Sequence, residues 1–118
     1  MGDIPVEDLP YAYLTTTGRV TGAPHRIEIW FARADDTVFL LAGDGDRSDW
    51  VRNLVASPSV VLEVGDRTLT TTARVVERGT DEDATARRAL LEKYQPGSSD
   101  DLGTWATTAL AVAVDWTS

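Results

Sequence analysis

The sequence predicts a mainly β (α+β) fold, a six-stranded antiparallel β-barrel with two flanking helices. Two observations support this prediction. Short runs of alternating or β-branched residues lie between turn signals, and the connections between them are too short for crossovers. Closure into a barrel removes exposed strand edges. Because no repeat, low-complexity stretch or linker interrupts the 118 residues, we expect one domain over residues 1–118.

The first half of the chain is predicted to form a three-stranded meander followed by a helix. Residues 1–10 hold three acids and two prolines, and we expect a flexible arm or a short helix there. Hydrophobic alternation and turn signals place strands at residues 11–17, 25–33 and 37–42. Ser48 is typical of a helix N-cap, and the helix over residues 49–56 is expected to end at Ser57-Pro58.

The second half is predicted to contain a hairpin, a longer helix and a final strand. Strands 59–64 and 67–76 are joined by Gly65-Asp66, a two-residue hairpin signal. Residues 80–83 resemble a capping box and open a helix that runs to about Tyr94. Residues 106–116 alternate large apolar residues with alanine, which predicts a strand covered on both faces.

Composition excludes several classes of function. Because the chain has no cysteine and one histidine, we expect no disulfide framework, thiol nucleophile or metal site. A net charge of −8 argues against a nucleic-acid partner. No apolar run of about 18 residues is present, so we expect no integral membrane segment. The N-terminus is acidic, unlike a secretory signal, which makes a cytoplasmic enzyme or binding protein the expectation.

Positive charge is concentrated in one part of the chain. Residues 15–34 contain three arginines and one histidine, with Glu28 as their only acid. Within this part, Gly18 and Gly22 can take positive φ and direct backbone N–H groups at one point, while Arg19 supplies a guanidinium. These residues are compatible with two interpretations. One is a small anion-binding loop, and the other is an ordinary hairpin loop with a solvated arginine.

Three motifs together resemble a known family. They are Leu14-Thr15-Thr16-Thr17-Gly18-Arg19-x-Thr21-Gly22-x-Pro24, Asp49-Trp50-Val51-Arg52-Asn53-Leu54 followed by Pro58, and the C-terminal apolar strand. This combination is similar to the deazaflavin (F420)-dependent nitroreductase and quinone reductase family. That family has the split β-barrel of the pyridoxamine-phosphate-oxidase type. The resemblance runs from about Tyr13 to Asp115, nearly the whole chain.

The resemblance implies that the first loop holds the phosphate and acidic tail of coenzyme F420. The implied cofactor-binding residues of this loop are Thr16, Thr17, Gly18, Arg19, Thr21, Gly22 and Pro24. Family members often carry lysine after the arginine and another basic residue after the proline, where this chain has Val20 and His25. His25, Arg26 and Arg47 could partly compensate. The departure leaves room for FMN, for a shorter-tailed deazaflavin or for loss of the coenzyme.

The resemblance also assigns roles to three further residues. Trp50 and Asn53 would flank the coenzyme, although Trp50 also suits core packing and Asn53 a hydrogen bond to a strand carbonyl. Tyr94 falls at a position that lines the family's substrate pocket. It is the candidate catalytic residue, able to hydrogen-bond a substrate oxygen or supply a proton. As the last apolar contact of its helix, Tyr94 equally suits a structural role.

The expected activity is hydride transfer from reduced deazaflavin to a quinone, nitroaromatic or enone. The partner is therefore a small-molecule electron acceptor. One alternative is an FMN-binding oxidoreductase of the same fold, and the other is a non-catalytic protein that binds a small ligand or cofactor. Related barrels often form homodimers with the coenzyme near the interface, and others are monomers.

Overall fold

The computed structural model describes residues 5–117, which form one seven-stranded antiparallel sheet with three α-helices. The strands are β1 Ala12–Thr17, β2 Pro24–Ile29, β3 Ala32–Ala34, β4 Thr37–Ala42, β5 Ser59–Val64, β6 Arg67–Val75 and β7 Leu110–Asp115. The helices are α1 Asp49–Ala56, α2 Asp81–Tyr94 and α3 Gly103–Thr108. Short 3₁₀ turns lie at Val6–Asp8, Gly45–Arg47 and Gln95–Gly97.

The sheet curls so that its two edges are neighbours in sequence. The strand order is β2-β1-β5-β6-β7-β4-β3, and the long strand β6 joins its two halves. Residues 67–72 of β6 pair with β5, whereas residues 73–75 pair with β7. The edge strands β2 and β3 are separated only by Trp30 and Phe31. This is the half-barrel expected of a split β-barrel.

Two apolar cores lie on opposite faces of β4 and β7. The inner core combines Val38 and Leu40 with residues of β1, β5 and α1, and it includes the fully buried Trp116. The outer core packs Phe39 and Leu41 against α2. The alternation predicted for the last strand is therefore confirmed, because both faces of β7 are covered.

The number of strands differs from the prediction, seven instead of six, because the predicted strand 25–33 is broken. The main chain of Phe31 forms hydrogen bonds with a side chain instead of a strand: its N–H donates to the Tyr94 hydroxyl over 3.0 Å. The chain turns at this point, and Phe31 enters the inner core. Sequence alternation cannot reveal this interruption because Tyr94 is distant in sequence.

The predicted final strand 106–116 is wrong over its first residues, which belong to α3. Arg78 and Arg87 donate hydrogen bonds to carbonyl oxygens of Thr107 at the end of this helix, each over 3.1 Å. At its start, the Gly103 amide donates to the Asp101 carboxylate over 2.8 Å. This Asp-x-Gly turn is the local signal that sequence reasoning missed.

Both predicted helices are confirmed, and so is the cap of the second one. The Thr80 hydroxyl accepts a hydrogen bond from the Asp83 amide over 3.1 Å. At the N-terminus, residues 1–4 of the predicted arm lie outside the described residues, whereas Val6 and Leu9 pack against the inner core. No helix in residues 5–117 is long and apolar enough to cross a membrane.

Candidate functional site

A groove of about 480 Å³ lies between the loop that follows β1 and the first turns of α1. The two sequence motifs meet in this groove although they are separated by about thirty residues. The groove residues are Gly18, Arg19, Val20, Thr21, His25, Ile27, Asp49, Trp50 and Asn53.

Asn53 holds the two walls of the groove together. Its side chain is buried, with an exposed fraction of 3%. The Oδ1 atom accepts hydrogen bonds from the Arg19 amide over 3.2 Å and from Arg19 Nη1 over 2.8 Å. The Nδ2 atom donates to the Thr16 hydroxyl over 3.1 Å. The hydrogen-bond partners of Asn53 are therefore the hydroxyl of Thr16 on β1 and the loop residue Arg19, and not the strand carbonyl considered in the sequence analysis.

The guanidinium of Arg19 lies over the N-terminal turn of α1. Besides Asn53, it contacts the Asp49 carboxylate over 3.2 Å, and the Asp49 carboxylate is 85% exposed. Such an exposed ion pair contributes little to stability, so a stronger anion can replace the carboxylate. Arg19 is thus fixed on its protein side by Asn53 and remains accessible on the other, with 31% of its side chain exposed.

The backbone of the loop does not form the expected cluster of free amides. The Gly18 amide donates to Ala23 over 2.7 Å, and the Gly22 amide donates to Gly18 over 2.8 Å. The Ala23 amide donates to the Thr21 hydroxyl over 3.3 Å. These three amides complete the turn and are not available to an anion, whereas the Arg19 side chain is accessible.

Only one of the two glycines has the expected conformation. Gly22 has a φ of +77°, but Gly18 is not among the residues with positive φ. Gly18 instead lies close to its neighbours: a Cβ atom there would lie 2.7 Å from Nε2 of the exposed His25 side chain and 3.0 Å from the Ala23 carbonyl oxygen. His25 therefore covers the base of the loop.

The structure brings together some of the predicted cofactor-binding residues and leaves others apart. Those that line the groove are Gly18, Arg19, Thr21, His25, Trp50 and Asn53, with Thr16 buried behind Asn53. The predicted residues that do not line it are Thr17, Gly22, Pro24 and Arg47, all of them exposed. Trp50 both lines the groove and packs against the inner core, as its two interpretations suggested.

Tyr94 does not line the groove, and its hydroxyl is engaged by the main chain. The oxygen accepts from the Phe31 amide and lies 2.9 Å from the Pro10 carbonyl and 3.0 Å from the Phe31 carbonyl. Burial raises the pKa of Tyr94, so the hydroxyl stays protonated. Its ring stacks on Trp30 with 4.2 Å between centroids. The catalytic role of Tyr94 stays a prediction.

A second cavity, which we call the aromatic cleft, was missed by sequence reasoning. It has a volume of about 390 Å³. Its lining residues are Tyr11, Glu28, Ile29, Trp30, Leu41, Leu102 and Trp105. They come from distant parts of the chain, and the α3 helix that carries Trp105 was predicted as loop and strand. No local pattern could have identified the cleft.

The groove and the aromatic cleft adjoin along β2. Ile27 lines the groove and Ile29 lines the cleft. Because residues two apart on a strand face the same side about 7 Å from each other, the two cavities are close neighbours. Two ligands could therefore be held side by side.

Comparison with known proteins identifies the family. The family model described as F420H(2)-dependent quinone reductase matches residues 3–116. An F420H(2)-dependent quinone reductase of Mycobacterium tuberculosis (strain ATCC 25618 / H37Rv) is 34% identical over 71 residues. That match covers 58% of this chain and 48% of the relative. The chain thus spans about half the length of the curated relatives it matches.

Solved structures agree on the fold. A structure described as an F420-H2-dependent reductase (FDR-A) has a TM-score of 0.72 and 23% identity, covering 90% of this chain and 94% of that one. Another, described as a domain-swapped dimer, has the same TM-score and identity and covers 90% of this chain and 80% of its own. These likenesses establish the split-barrel architecture. The family match over nearly its whole length shows that the chain belongs to the F420H(2)-dependent quinone reductase family.

Proposed function

We propose that this chain is an F420H2-dependent reductase that transfers hydride from reduced deazaflavin to an electron-poor small molecule. A quinone, a nitroaromatic or an enone would be a suitable acceptor. The observation that carries the proposal is the groove in which Asn53 joins the two motifs and fixes Arg19. Membership of the family supports the choice of coenzyme.

The residues of the groove fit a ring that carries an anionic group. Arg19 offers a guanidinium whose present anionic partner, Asp49, is largely exposed and can be displaced. Ile27 and Trp50 provide an apolar wall for a flat ring. We therefore assign the phosphate handle to Arg19 and His25, and the ring to Ile27 and Trp50. When bound, the reduced deazaflavin supplies the hydride.

The protein's own contribution would be positioning and exclusion of water. Asn53 holds the guanidinium in one orientation, which limits how an anion-bearing ligand can lie in the groove. The adjoining aromatic cleft would hold the acceptor beside it, since Ile27 and Ile29 share one face of β2. Holding two reactants in contact in this way removes much of the entropic cost of their encounter.

The test is a parallel equilibrium titration with F420 and FMN, followed by assay of F420H2 oxidation with a quinone and a nitroaromatic. We expect saturable F420 binding that is tighter than FMN binding, and turnover with one acceptor. Arg19→Ala should weaken F420 binding, and Arg52→Ala serves as the matched control because Arg52 lies on α1 but does not line the groove.

Each other outcome points to a stated alternative. Binding of FMN without F420 would favour an FMN-binding oxidoreductase of the same fold. Tight coenzyme binding without turnover of any quinone or nitro acceptor would favour a carrier or sensor. Binding of neither coenzyme would contradict the proposal.

We also propose that the chain forms a homodimer. Within residues 5–117, the outer edge of β2 has no strand partner, and unpaired edges favour association. A protein of the same fold is described as a domain-swapped dimer. Sedimentation velocity at micromolar concentration tests the proposal, and a single monomeric species would contradict it.

A further inference from the structure

We propose that the aromatic cleft binds a flat aromatic ligand with a single positive charge in preference to a neutral molecule of the same shape. As a binding property, this preference is independent of any coenzyme. As an account of which acceptor is reduced, it depends on the proposed function.

Three aromatic residues line the cleft, and two of them are exposed to solvent. Tyr11 is 46% exposed and Trp30 is 36% exposed. Trp105 meets Trp30 edge-on, with 5.6 Å between ring centroids and 89° between planes. Aromatic faces carry partial negative charge and attract cations, most strongly on tryptophan. Several aromatic rings around one space are a recurring arrangement in sites for organic cations.

The ring of Trp30 is held in place by stacking on Tyr94. Tyr94 stacks on it with an angle of 5° between the planes, and the Tyr94 hydroxyl is bound to main-chain groups of Phe31. The cleft therefore has at least one preformed aromatic wall. A preformed wall reduces the ordering cost of binding.

Within residues 5–117, Glu28 is the only charged residue that lines the cleft. Its carboxylate accepts a hydrogen bond from the Tyr13 hydroxyl over 3.0 Å. Among residues 5–117, none of the ion pairs includes Glu28. The neighbouring Arg26 is occupied elsewhere, because its guanidinium donates two hydrogen bonds to Glu63 over 2.9 and 3.3 Å. Glu28 thus places a carboxylate at the edge of the aromatic cleft, with no ion-pair partner among the described residues.

These features select for charge and shape together. The carboxylate and the aromatic faces both attract a cation, whereas an anion would be repelled by both. Apolar side chains from Ile29, Leu41 and Leu102 complete the lining and favour a flat apolar body. An N-alkylated heteroaromatic ring combines these properties.

A cationic acceptor also suits the proposed reaction. Such a ring takes up hydride at a carbon atom and becomes neutral without taking up a proton, while the reduced deazaflavin, having given up hydride, releases its remaining proton to solvent. The hydroxyls of Tyr13 and Tyr94 are engaged by Glu28 and by the main chain, respectively, whereas Tyr11 lines the cleft itself.

The experiment is isothermal titration calorimetry of the protein without coenzyme. The probes are N-methylquinolinium and quinoline, compared at a pH where quinoline is neutral. At low salt we expect the cation to bind about fivefold or more tightly than quinoline, and we expect the difference to shrink as salt is added. Equal affinities, or no binding of either probe, would overturn the proposal.

Variants separate charge from shape. Glu28→Gln keeps the size and the hydrogen-bond acceptor, so it should weaken cation binding about fivefold and leave quinoline binding unchanged. Glu77 is an exposed carboxylate outside the cleft, so Glu77→Gln should change the affinity for neither probe. Trp105→Leu should weaken the binding of both probes. Cation binding that is unchanged in both Glu28→Gln and Trp105→Leu would refute the proposal, because neither the carboxylate nor the ring would then contribute, and thermal unfolding checks that each variant is folded.

These results are distinguishable from those on the reductase. If F420 binds in the groove but the cation preference is absent, only the ligand class is wrong. If the preference is present but F420 does not bind, the cleft remains a cation site and the reductase assignment fails.

Discussion

Asn53 connects the groove to the fold at the scale of a single residue. The sequence singled it out through its motif, but could not identify its partners, because Arg19 and Thr16 lie 34 and 37 residues away. A buried amide is stable only when its hydrogen bonds are satisfied, and here the partners come from both motifs. The same contact therefore stabilises the loop and orients the guanidinium.

The pair Arg19–Asp49 yields the first prediction. Arg19→Ala should reduce F420 affinity by about 1.5–3 kcal/mol, the typical contribution of a hydrogen bond to a charged group. Asp49→Asn should increase affinity several-fold, because it removes the carboxylate that competes for the guanidinium. Fluorescence titration measures both effects. Unchanged affinity in both variants would remove this pair from the site.

Tyr94→Phe separates the predicted catalytic role from a structural one. The hydroxyl bonds the main chain of Phe31, so we expect the free energy of unfolding to fall by about 1–3 kcal/mol. We expect only a small change in kcat, because the hydroxyl does not line the groove. Urea unfolding and steady-state kinetics measure the two effects. A drop in kcat of about 100-fold with unchanged stability would instead support catalysis by Tyr94.

Lys93 makes stability depend on pH. Burial lowers the pKa of Lys93 from its ordinary 10.5 to about 8, although the charges of Asp8 and Glu7 oppose this shift. Between these two pKa values Lys93 is protonated in the unfolded chain but neutral in the folded chain. The cost of burying its charge therefore disappears as pH rises, and the free energy of unfolding increases. Native protein should gain stability relative to Lys93→Met between about pH 8 and 10.5. Parallel urea-unfolding curves for the two proteins would contradict this prediction.

At the scale of elements, local signals predicted most of the structure and failed where distant contacts decide. Helix α2 was predicted from its own cap, which the structure contains. Helix α3 has a local signal in its Asp-x-Gly turn that sequence reasoning missed, and its final carbonyls are held by Arg78 and Arg87, which are distant in sequence. The break between β2 and β3 likewise depends on Tyr94. The groove was partly predictable because its motifs are local, whereas the aromatic cleft is assembled only by the fold.

Arg87 tests how α3 is anchored. Its ion pair with Asp83 is largely buried, with side-chain exposures of 14% and 8%. Burial acts to raise the pKa of Asp83, but hydrogen bonds from Arg87 and the Gly79 amide outweigh it and hold the pKa below its ordinary value. Arg87→Met leaves this carboxylate without its cation, so stability should fall by about 3–5 kcal/mol.

The exposed Arg88 on the same helix provides the control, and Arg88→Met should change stability only slightly. Urea unfolding followed by tryptophan fluorescence measures both variants, since α3 carries Trp105. Equal stabilities of the two variants would show that Arg87 does not anchor α3.

For the whole molecule, we propose that residues 1–118 unfold as one domain. The inner and outer cores share strands β4 and β7, so neither can be lost without uncovering the other. Unfolding followed by far-UV circular dichroism and by tryptophan fluorescence should give coincident curves. Two separated transitions would show that the cores are independent.

The corner at Trp30 and Phe31 couples ligand binding to the integrity of the sheet. Here the chain passes from one free edge of the barrel to the other, and Trp30 at this corner also lines the aromatic cleft. A molecule bound in the cleft would hold the corner between the edge strands β2 and β3 in place. Binding of a ligand in the aromatic cleft should therefore slow amide hydrogen exchange in the short strand β3.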